Sequence, residues 1–488
     1  MHKGLKSLLS LAQECRDAGD WSGAIRLFGR AAQLAPGQAA IQHNLAMAHF
    51  AKGEARKAIA FAEAALQRAP SQWQSLALLA KIYRSVGEVD AANAAWQSAL
   101  KHDAGNGPAL LGLADLNLNE FGDPGRAAAL VQPLRDNPSH QGDAELTLLM
   151  TALYEGSRSS EQISQSLKAF ADTHLHLPYV KPRKLRPGRR RIGLISPLFA
   201  ASPVYHLTFS AFRALSEKHD LILFNRGGRC DHATDLFRKL AREWHEVAAL
   251  DAAPLAAALE AAEIDILFDL GGWSDVIGLR ALSAKPAARM YKWIGGQSAT
   301  TGLTMFDGWI GDEWQSPVAS ADLYAEPIIN IAGGYADYTP PEGIEAFAGL
   351  PKKGVGLVGN PAKIGEATIA AWPQGVDRVR LIDRRYVHDQ ARQRVVELLN
   401  RSGIQVEAII SPKGHEAYLR ALGGCEAIVN TQPYSAGLTA IEAHWLGVRV
   451  LSGGKPGRLF CSRHHLSHAQ TGGRNPHLAA QILKLVSE

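Results

Sequence analysis

The stretch NTQPYSAGLTAIEAHWLG, residues 430–447, decides how the end of this chain folds. Ala427, Ile428 and Val429 ahead of it read as the end of a buried strand. Pro433 to Gly437 reads as a turn, and a helix follows from about Leu438, with an acid one turn in. A helix start behind a glycine turn offers unpaired backbone N–H groups and the positive end of the helix dipole, a setting that suits a phosphate. Thr439 adds a hydroxyl donor, and Glu442 stands where a carboxylate can take both hydroxyls of a ribose. Strand, glycine turn, helix and early acid describe how open α/β sheets hold nucleotides at the carboxyl ends of their strands. A plain β–α turn with a capping Thr and a solvated Glu has the same pattern, so the surrounding sequence must choose.

Working outward, short apolar runs alternate with helical stretches on both sides of a Tyr338-Thr339-Pro340-Pro341 turn. Beyond it the runs at 355–358, 379–382, 406–410, 427–429 and 448–451 read as strands. Before it the runs at 192–195, 221–224, 264–268, 290–294, 308–311 and 328–331 do, with amphipathic stretches at 209–218 and 253–262 between them. Strands alternating with helices imply mostly parallel sheets covered on both faces. Polar and glycine residues gather after the strands: Ser196-Pro197 and Ser202 to His206, Asp269 to Ser274, and Gly295-Gly296-Gln297-Ser298 onward to Gly302. In a doubly wound sheet all of these line one cleft.

The opening part of the chain is different. Ala35-Pro36, Ala69-Pro70, Asp103-Ala104 and Asn137-Pro138 recur every 34 residues, the tetratricopeptide period of one helix–turn–helix per repeat. Gly19, Gly53 and Gly87 keep the register in the turns, with Gly122 one place late; Ala24, Ala58 and Ala92 are the small residues where paired helices approach. Phe28, Phe61 and Trp96 supply bulk, Phe61 being one place out of step. Stacked helix pairs share a continuous core and leave a concave groove, which favours partner binding over an inert spacer. Residues 141–172 look helical and are expected to cap the array; a basic, proline-bearing tract over 174–191 then crosses into the α/β part.

At 488 residues the chain should hold about three domains, and 46% hydrophobic with 20% charged residues is a soluble composition. A net charge of +5 argues against a dedicated nucleic-acid binder. The four cysteines (Cys15, Cys230, Cys425, Cys461) form no CxxC pair, so neither a disulfide framework nor a zinc site is expected. The start of the chain reads as a helix and not a leader, and no apolar run is long enough to span a membrane.

Beyond these readings, the α/β half resembles the O-linked N-acetylglucosamine transferase family, including its SPINDLY branch and bacterial homologues, whose members also carry tetratricopeptide repeats ahead of a GT-B fold. The resemblance rests on ISPLFAASPVYHL (195–207), DILFDLGGWS (265–274), KPAARMYKWIGGQSATTG (285–302), DGWIGDEWQSP (307–317), LYAEPIINIAGGYADYTPP (323–341), GNPAKI (359–364), SPKGHEAY (411–418) and the opening stretch. It implies a repeat array over 1–140, a cap and linker over 141–190, an acceptor-side lobe over 191–341 and a donor-side lobe over 342–488.

By position, Lys363 resembles the lysine on the donor diphosphate, with Asn360 in the same turn. Lys413 and His415 resemble residues near the base and phosphates. Thr439 and Glu442 resemble the phosphate-binding threonine and the ribose-binding acid, with Gly437 in the turn, while His206 and Asp269 resemble polar positions near the sugar and acceptor. The role of Lys363 also stands on its own chemistry: a departing nucleoside diphosphate builds negative charge, which a fixed cation and a helix N-terminus stabilise without a metal.

The chain departs from the family at Ser202, where the family places a histidine before the proline. It departs again at Gly437-Leu438-Thr439-Ala440, where the family has Gly-His-Thr-Thr and one more residue before the acid. The expected activity is an inverting, metal-independent transfer of a sugar from a nucleotide-sugar, a UDP-sugar first among donors, with no other cofactor. The acceptor would be Ser or Thr of a protein held in the repeat groove, in the cytoplasm. The alternative is a repeat scaffold whose transferase lobes have lost turnover.

Overall fold

The computed structural model describes residues 3–179, 184–296 and 299–487. Val180 to Arg183 of the basic tract, and Gln297 and Ser298 of the double-glycine loop, lie outside the described residues. The chain divides into two compact units, Met1–Leu148 and Leu149–Glu488.

The first unit is a series of antiparallel helix pairs: α1 (Lys3–Asp17) with α2 (Trp21–Leu34), α3 (Ala39–Ala51) with α4 (Ala55–Arg68), α5 (Trp73–Ser85) with α6 (Val89–His102), and α7 (Gly107–Asn119) with α8 (Pro124–Val131). Each turn needs a left-handed residue, and Gly19, Gly53, Gly87 and Gly122 supply it at φ of 74°, 77°, 83° and 63°. Ala24, Ala58 and Ala92 are fully buried where the helices of a pair touch. The place 34 residues beyond Phe28 belongs to buried Ala62, so Phe61 turns aside and stacks on His49 with ring centroids 5.0 Å apart. Side-chain caps begin several helices: Asp20 accepts from Gly23 N at 2.8 Å and Asn106 from Ala109 N at 3.1 Å.

Helix α9 (Gln141–Glu155) runs across the boundary, and Gly156 (φ 71°) follows Gly122 by one further period. Helix α10 (Ser160–His174), which the sequence groups with a cap on the array, is built into the α/β unit instead. Its buried face carries Ile163, Leu167 and Phe170. Ser164 Oγ donates to Leu323 O at 2.5 Å, Lys168 Nζ to Asp322 O at 2.9 Å, and the Phe170 ring lies 5.9 Å from Trp273. An amphipathic pattern gives the apolar face of a helix but not which neighbour covers it.

The second unit holds two parallel sheets. Strands β1 (Arg191–Ser196), β2 (Asp220–Asn225), β3 (Glu243–Glu246), β4 (Ile266–Asp269), β5 (Arg289–Trp293), β6 (Gly308–Gly311) and β7 (Ile328–Asn330) form the first, ordered β3-β2-β1-β4-β5-β6-β7. Helices α11 (Pro203–Lys218), α12 (His232–Leu240), α13 (Ala252–Ala261) and α14 (Val276–Leu282) connect its strands. Strands β8 (Val355–Val358), β9 (Arg378–Ile382), β10 (Gln405–Ile410), β11 (Ala427–Val429) and β12 (Arg449–Leu451) form the second, ordered β10-β9-β8-β11-β12. Its helices are α15 (Glu345–Ala348), α16 (Glu366–Ala370), α17 (Asp389–Arg401), α18 (His415–Gly423) and α19 (Leu438–Trp445).

Each sheet reverses its strand order once, between β1 and β4 and between β8 and β11. These reversals are the switch points at which open α/β sheets bind ligands. The stretch at 202–206, read from sequence as loop, is helix: Pro203 sits at the first turn of α11, a position that tolerates a residue without N–H.

Two further helices, α20 (His464–Thr471) and α21 (Leu478–Ser487), end the chain. Although it lies within residues 342–488, α21 returns to the first lobe, packs on α11, and has its end held by Arg190, whose Nη2 donates to Ser487 O at 2.9 Å. The backbone thus crosses between lobes twice, and the crossings run side by side. Tyr338 N donates to Gly473 O at 2.6 Å, Arg474 Nε to Asp337 at 2.9 Å, and Asn475 Nδ2 to Gly334 O at 2.7 Å.

Candidate active site

The carboxyl edges of the two sheets enclose a cleft of ≈ 290 Å³. Leu198, Pro203 and Ile294 to Gly296 line it from the first lobe; Lys363, Tyr434, Gly437 to Thr439 and His464 line it from the second. Leu198 follows β1, Lys363 follows β8 and Gly437 follows β11, strands that flank the two switch points, while Ile294 to Gly296 follow β5, next to β4.

Lys363 ends a short 3-10 turn after β8, and that turn is fixed by Asn360, whose Oδ1 accepts from Ala362 N at 3.0 Å. The Lys363 ammonium donates to Ser435 O at 3.0 Å and lies 4.3 Å from the centroid of the Tyr434 ring. Burial lowers its pKa to about 8, which still leaves it cationic at neutral pH. Beside it α19 begins at Leu438 behind Gly437, with Thr439 in its first turn. Cation and helix N-terminus therefore share one wall of the cleft, as anion recognition requires.

Glu442 and His415, 27 residues apart, are paired: His415 Nε2 donates to Glu442 Oε1 at 2.6 Å, and Glu442 is 1% exposed. Burial pushes the Glu442 carboxyl above its usual range, opposed by the His415 bond. One turn into α18, Tyr418 OH donates to Thr439 Oγ1 at 3.0 Å, which leaves the threonine's own O–H to donate elsewhere. Lys413 is exposed in the loop ahead of α18. Gly437 has φ −94° and ψ −108° and immediately precedes the first residue of α19.

From the first lobe, His206 on α11 meets His415 with ring centroids 5.3 Å apart. Its Nδ1 lies 3.0 Å from Thr339 O, and a carbonyl only accepts, so Nδ1 carries the proton and Nε2 the lone pair. Burial lowers its pKa to about 4. Asp269, at the end of β4, turns inward. Its carboxylate accepts from Gly271 N at 2.9 Å and Gly272 N at 3.1 Å, and burial raises its pKa. Ser202 Oγ donates to Leu198 O at 2.8 Å. Lys363, Gly437 and Thr439 thus share the cleft, Glu442 and His415 form a pair behind it, and Asp269 braces a turn.

Two braces carry no role in the sequence reading. Lys292 on β5 is buried, and its ammonium donates to Gly295 O at 2.8 Å and Asp269 O at 3.3 Å, tying the β4 and β5 turns together; burial lowers its pKa to about 8. Its sequence signal is a single lysine inside the apolar run MYKWI. Glu326, 3% exposed, accepts from Thr300 Oγ1 at 2.6 Å and from Thr301 N at 2.7 Å and also from the Thr301 hydroxyl. Glu326→Ala strands these donors and is expected to cost about 3 kcal/mol, read as a drop in the urea midpoint.

Acid should also destabilise the fold. His206 and His465 are held to about 4 and His468 to about 3 by burial, so below pH 6.5 the unfolded chain takes up protons that the native chain refuses. The histidine contribution is fully present above 6.5 and lost as pH falls toward 4, by roughly 3 kcal/mol from His206 alone, and is offset in part by Asp269 and Glu442, whose raised pKa values let the native state take up protons first. Urea midpoints at pH 7, 5.5 and 4.5 measure the slope.

Two facing Rossmann-like lobes with an anion-ready cleft are the GT-B arrangement. Residues 168–337 match glycosyl transferase family 41 and residues 16–82 match a tetratricopeptide repeat family. Among solved structures, a point mutant of the O-GlcNAc transferase of Thermobaculum terrenum shares the fold, with TM-score 0.60 and 22% identity over 99% of this chain and 94% of that one. Among curated proteins, SPINDLY of Eustoma exaltatum subsp. russellianum is 22% identical over 253 residues, which is 48% of this chain and 28% of the relative. SEC of Arabidopsis thaliana is 25% identical over 150 residues, 30% of this chain and 15% of the relative. Both are described as probable UDP-N-acetylglucosamine–peptide N-acetylglucosaminyltransferases. The match therefore spans under a third of the length of either curated relative. No helix among the described residues is long and apolar enough to cross a membrane.

Proposed function

We propose that this chain is a glycosyltransferase that moves a sugar from a nucleotide-sugar, a UDP-sugar first among candidates, to Ser or Thr of a protein recruited by its repeats. The observation that carries the reading is the shared wall of Lys363, Thr439 and the α19 N-terminus. A diphosphate bound there has its developing charge met by the ammonium, the threonine O–H and helix amides. The acceptor hydroxyl attacks the anomeric carbon from the first-lobe side as the carbon–phosphate-oxygen bond breaks, the diphosphate leaving with the electron pair and the hydroxyl proton passing to water, which inverts the centre in one in-line step.

In this reading no divalent metal is needed. Asn360 positions Lys363, Tyr418 aims the Thr439 hydroxyl, and His415 and Lys413 flank the base. Glu442 takes the ribose hydroxyls when it exchanges its bond to His415. His206 and Asp269 hold the inter-lobe contact and the β4 turn. The four unpaired cysteines suit a cytoplasmic setting.

Calorimetry with a panel of UDP-, GDP- and CMP-sugars in EDTA tests the assignment. Binding of one nucleotide class, followed by sugar transfer to protein, is the expected result, and no binding by the folded protein rejects it. The rival reading, a scaffold with lobes that no longer turn over, draws on Leu438 at the helix start and on the occupied Glu442 carboxylate. It predicts nucleotide binding without transfer.

A further inference from the structure

Behind the cleft, α19 and α20 form one wall of a second cavity, ≈ 650 Å³, whose other wall is residues 448–452 on and around β12. This strand ends its sheet and pairs with β11 alone among the described strands. Asn430 N donates to Leu451 O at 2.8 Å and Arg449 N to Glu426 O at 3.3 Å. Backbone groups alternate sides along a strand, so residues 449 and 451 turn theirs toward β11. Val450 turns both N–H and C=O outward, a free edge that templates another strand.

The facing wall has a matching deficit. His465 and His468 are 7% and 2% exposed, yet Nδ1 of the first and Nε2 of the second have no hydrogen-bond partner among the described residues. Buried polar atoms are ordinarily paired. Burial keeps both imidazoles neutral at pH 7, so each ring offers one donor and one acceptor. An extended backbone brings N–H and C=O groups to both walls at once, whereas a purely apolar ligand brings neither. Charge selects among peptides: Arg449 on the strand and Lys455 in the following loop are both exposed. That flank attracts acids, and it disfavours a second copy, whose Arg449 would face this one.

We propose that the edge of β12 and the facing side of α20 hold an extended, acid-flanked peptide segment of a partner protein, added as a sixth strand to the five-stranded sheet. The surface stands apart from the sugar-transfer cleft, although α19 and α20 contribute to both.

Fluorescence anisotropy on the full chain tests it with a labelled eight-residue peptide of alternating valine and threonine between aspartate pairs. Two twins are compared: one flanked by lysines, one N-methylated at alternate residues. The acid-flanked peptide should bind, and each twin should bind about tenfold weaker or less. Val450→Pro removes the outward N–H at an edge position that accepts proline, and should weaken binding about tenfold at an unchanged thermal midpoint. Arg449→Glu, which leaves Lys455 as an opposing charge, should erase the preference for the acid-flanked over the lysine-flanked peptide while leaving the backbone edge intact. The proposal fails if the acid-flanked peptide does not bind, or if the N-methylated twin binds equally. Dimerisation that Val450→Pro abolishes would also overturn it, by making a second copy the occupant.

Discussion

Lys363→Met should lower the rate of sugar transfer by about 10²–10³ while the thermal midpoint moves by no more than a few degrees. Methionine keeps the length and apolar stem of lysine, so the change isolates the charge. What is lost is one hydrogen bond to Ser435 O and the contact with the Tyr434 ring. In turnover the same ammonium would lie against the departing diphosphate, where its absence is felt in the transition state and little in the folded ground state. Single-turnover transfer of radiolabelled sugar gives the measurement, and a rate within threefold of the parent would remove Lys363 from the diphosphate. The pH profile carries the same sign. With a pKa of about 8, the cation is present below that value, and transfer should decline as pH rises through it.

Gly295→Ala should destabilise the cleft strongly. Gly295 has φ 61°, and a Cβ built there would lie 1.9 Å from Leu270 O, a backbone atom of the β4 turn. Neither partner can yield without parting the two turns that Lys292 ties together. A left-handed alanine costs about 1 kcal/mol and overpacking adds about 1–3 kcal/mol, so a loss near 3 kcal/mol is expected, with nucleotide affinity falling alongside. Gly365→Ala is the control. Its backbone is extended, with φ −142° and ψ −172°, and its Cβ would meet nothing within 4 Å among the described residues, so it should melt with the parent. Equal melting of the two variants would show that the loop has slack the geometry does not admit.

Where local pattern fixes an element, the chain declares it. The 34-residue glycine and alanine period gives the repeat turns, and the apolar runs at 308–311, 355–358 and 427–429 coincide with β6, β8 and β11. The helix start at Leu438 is legible for the same reason. β3 is not: EWHE lies at the edge of its sheet, half-buried, with no apolar alternation to mark it. The start of α11 hides behind Ser202-Pro203, since the same dipeptide opens a turn or caps a helix.

At the site, Gly437 and Thr439 are found because a strand end and a helix start place them, and Lys363 by its resemblance to the diphosphate-contacting lysine of the family. The pairing of His415 with Glu442, the inward turn of Asp269, and the braces built by Lys292 and Glu326 join residues distant in sequence. Such partners are set by how the sheets stack, which no short pattern encodes.

The paired crossings between the lobes have a mechanical consequence. A single covalent link would let one lobe swing in any direction, but two strands hydrogen-bonded side by side behave as a strap hinge. Sliding of one lobe along the other would have to break the Tyr338–Gly473 and Arg474–Asp337 bonds together.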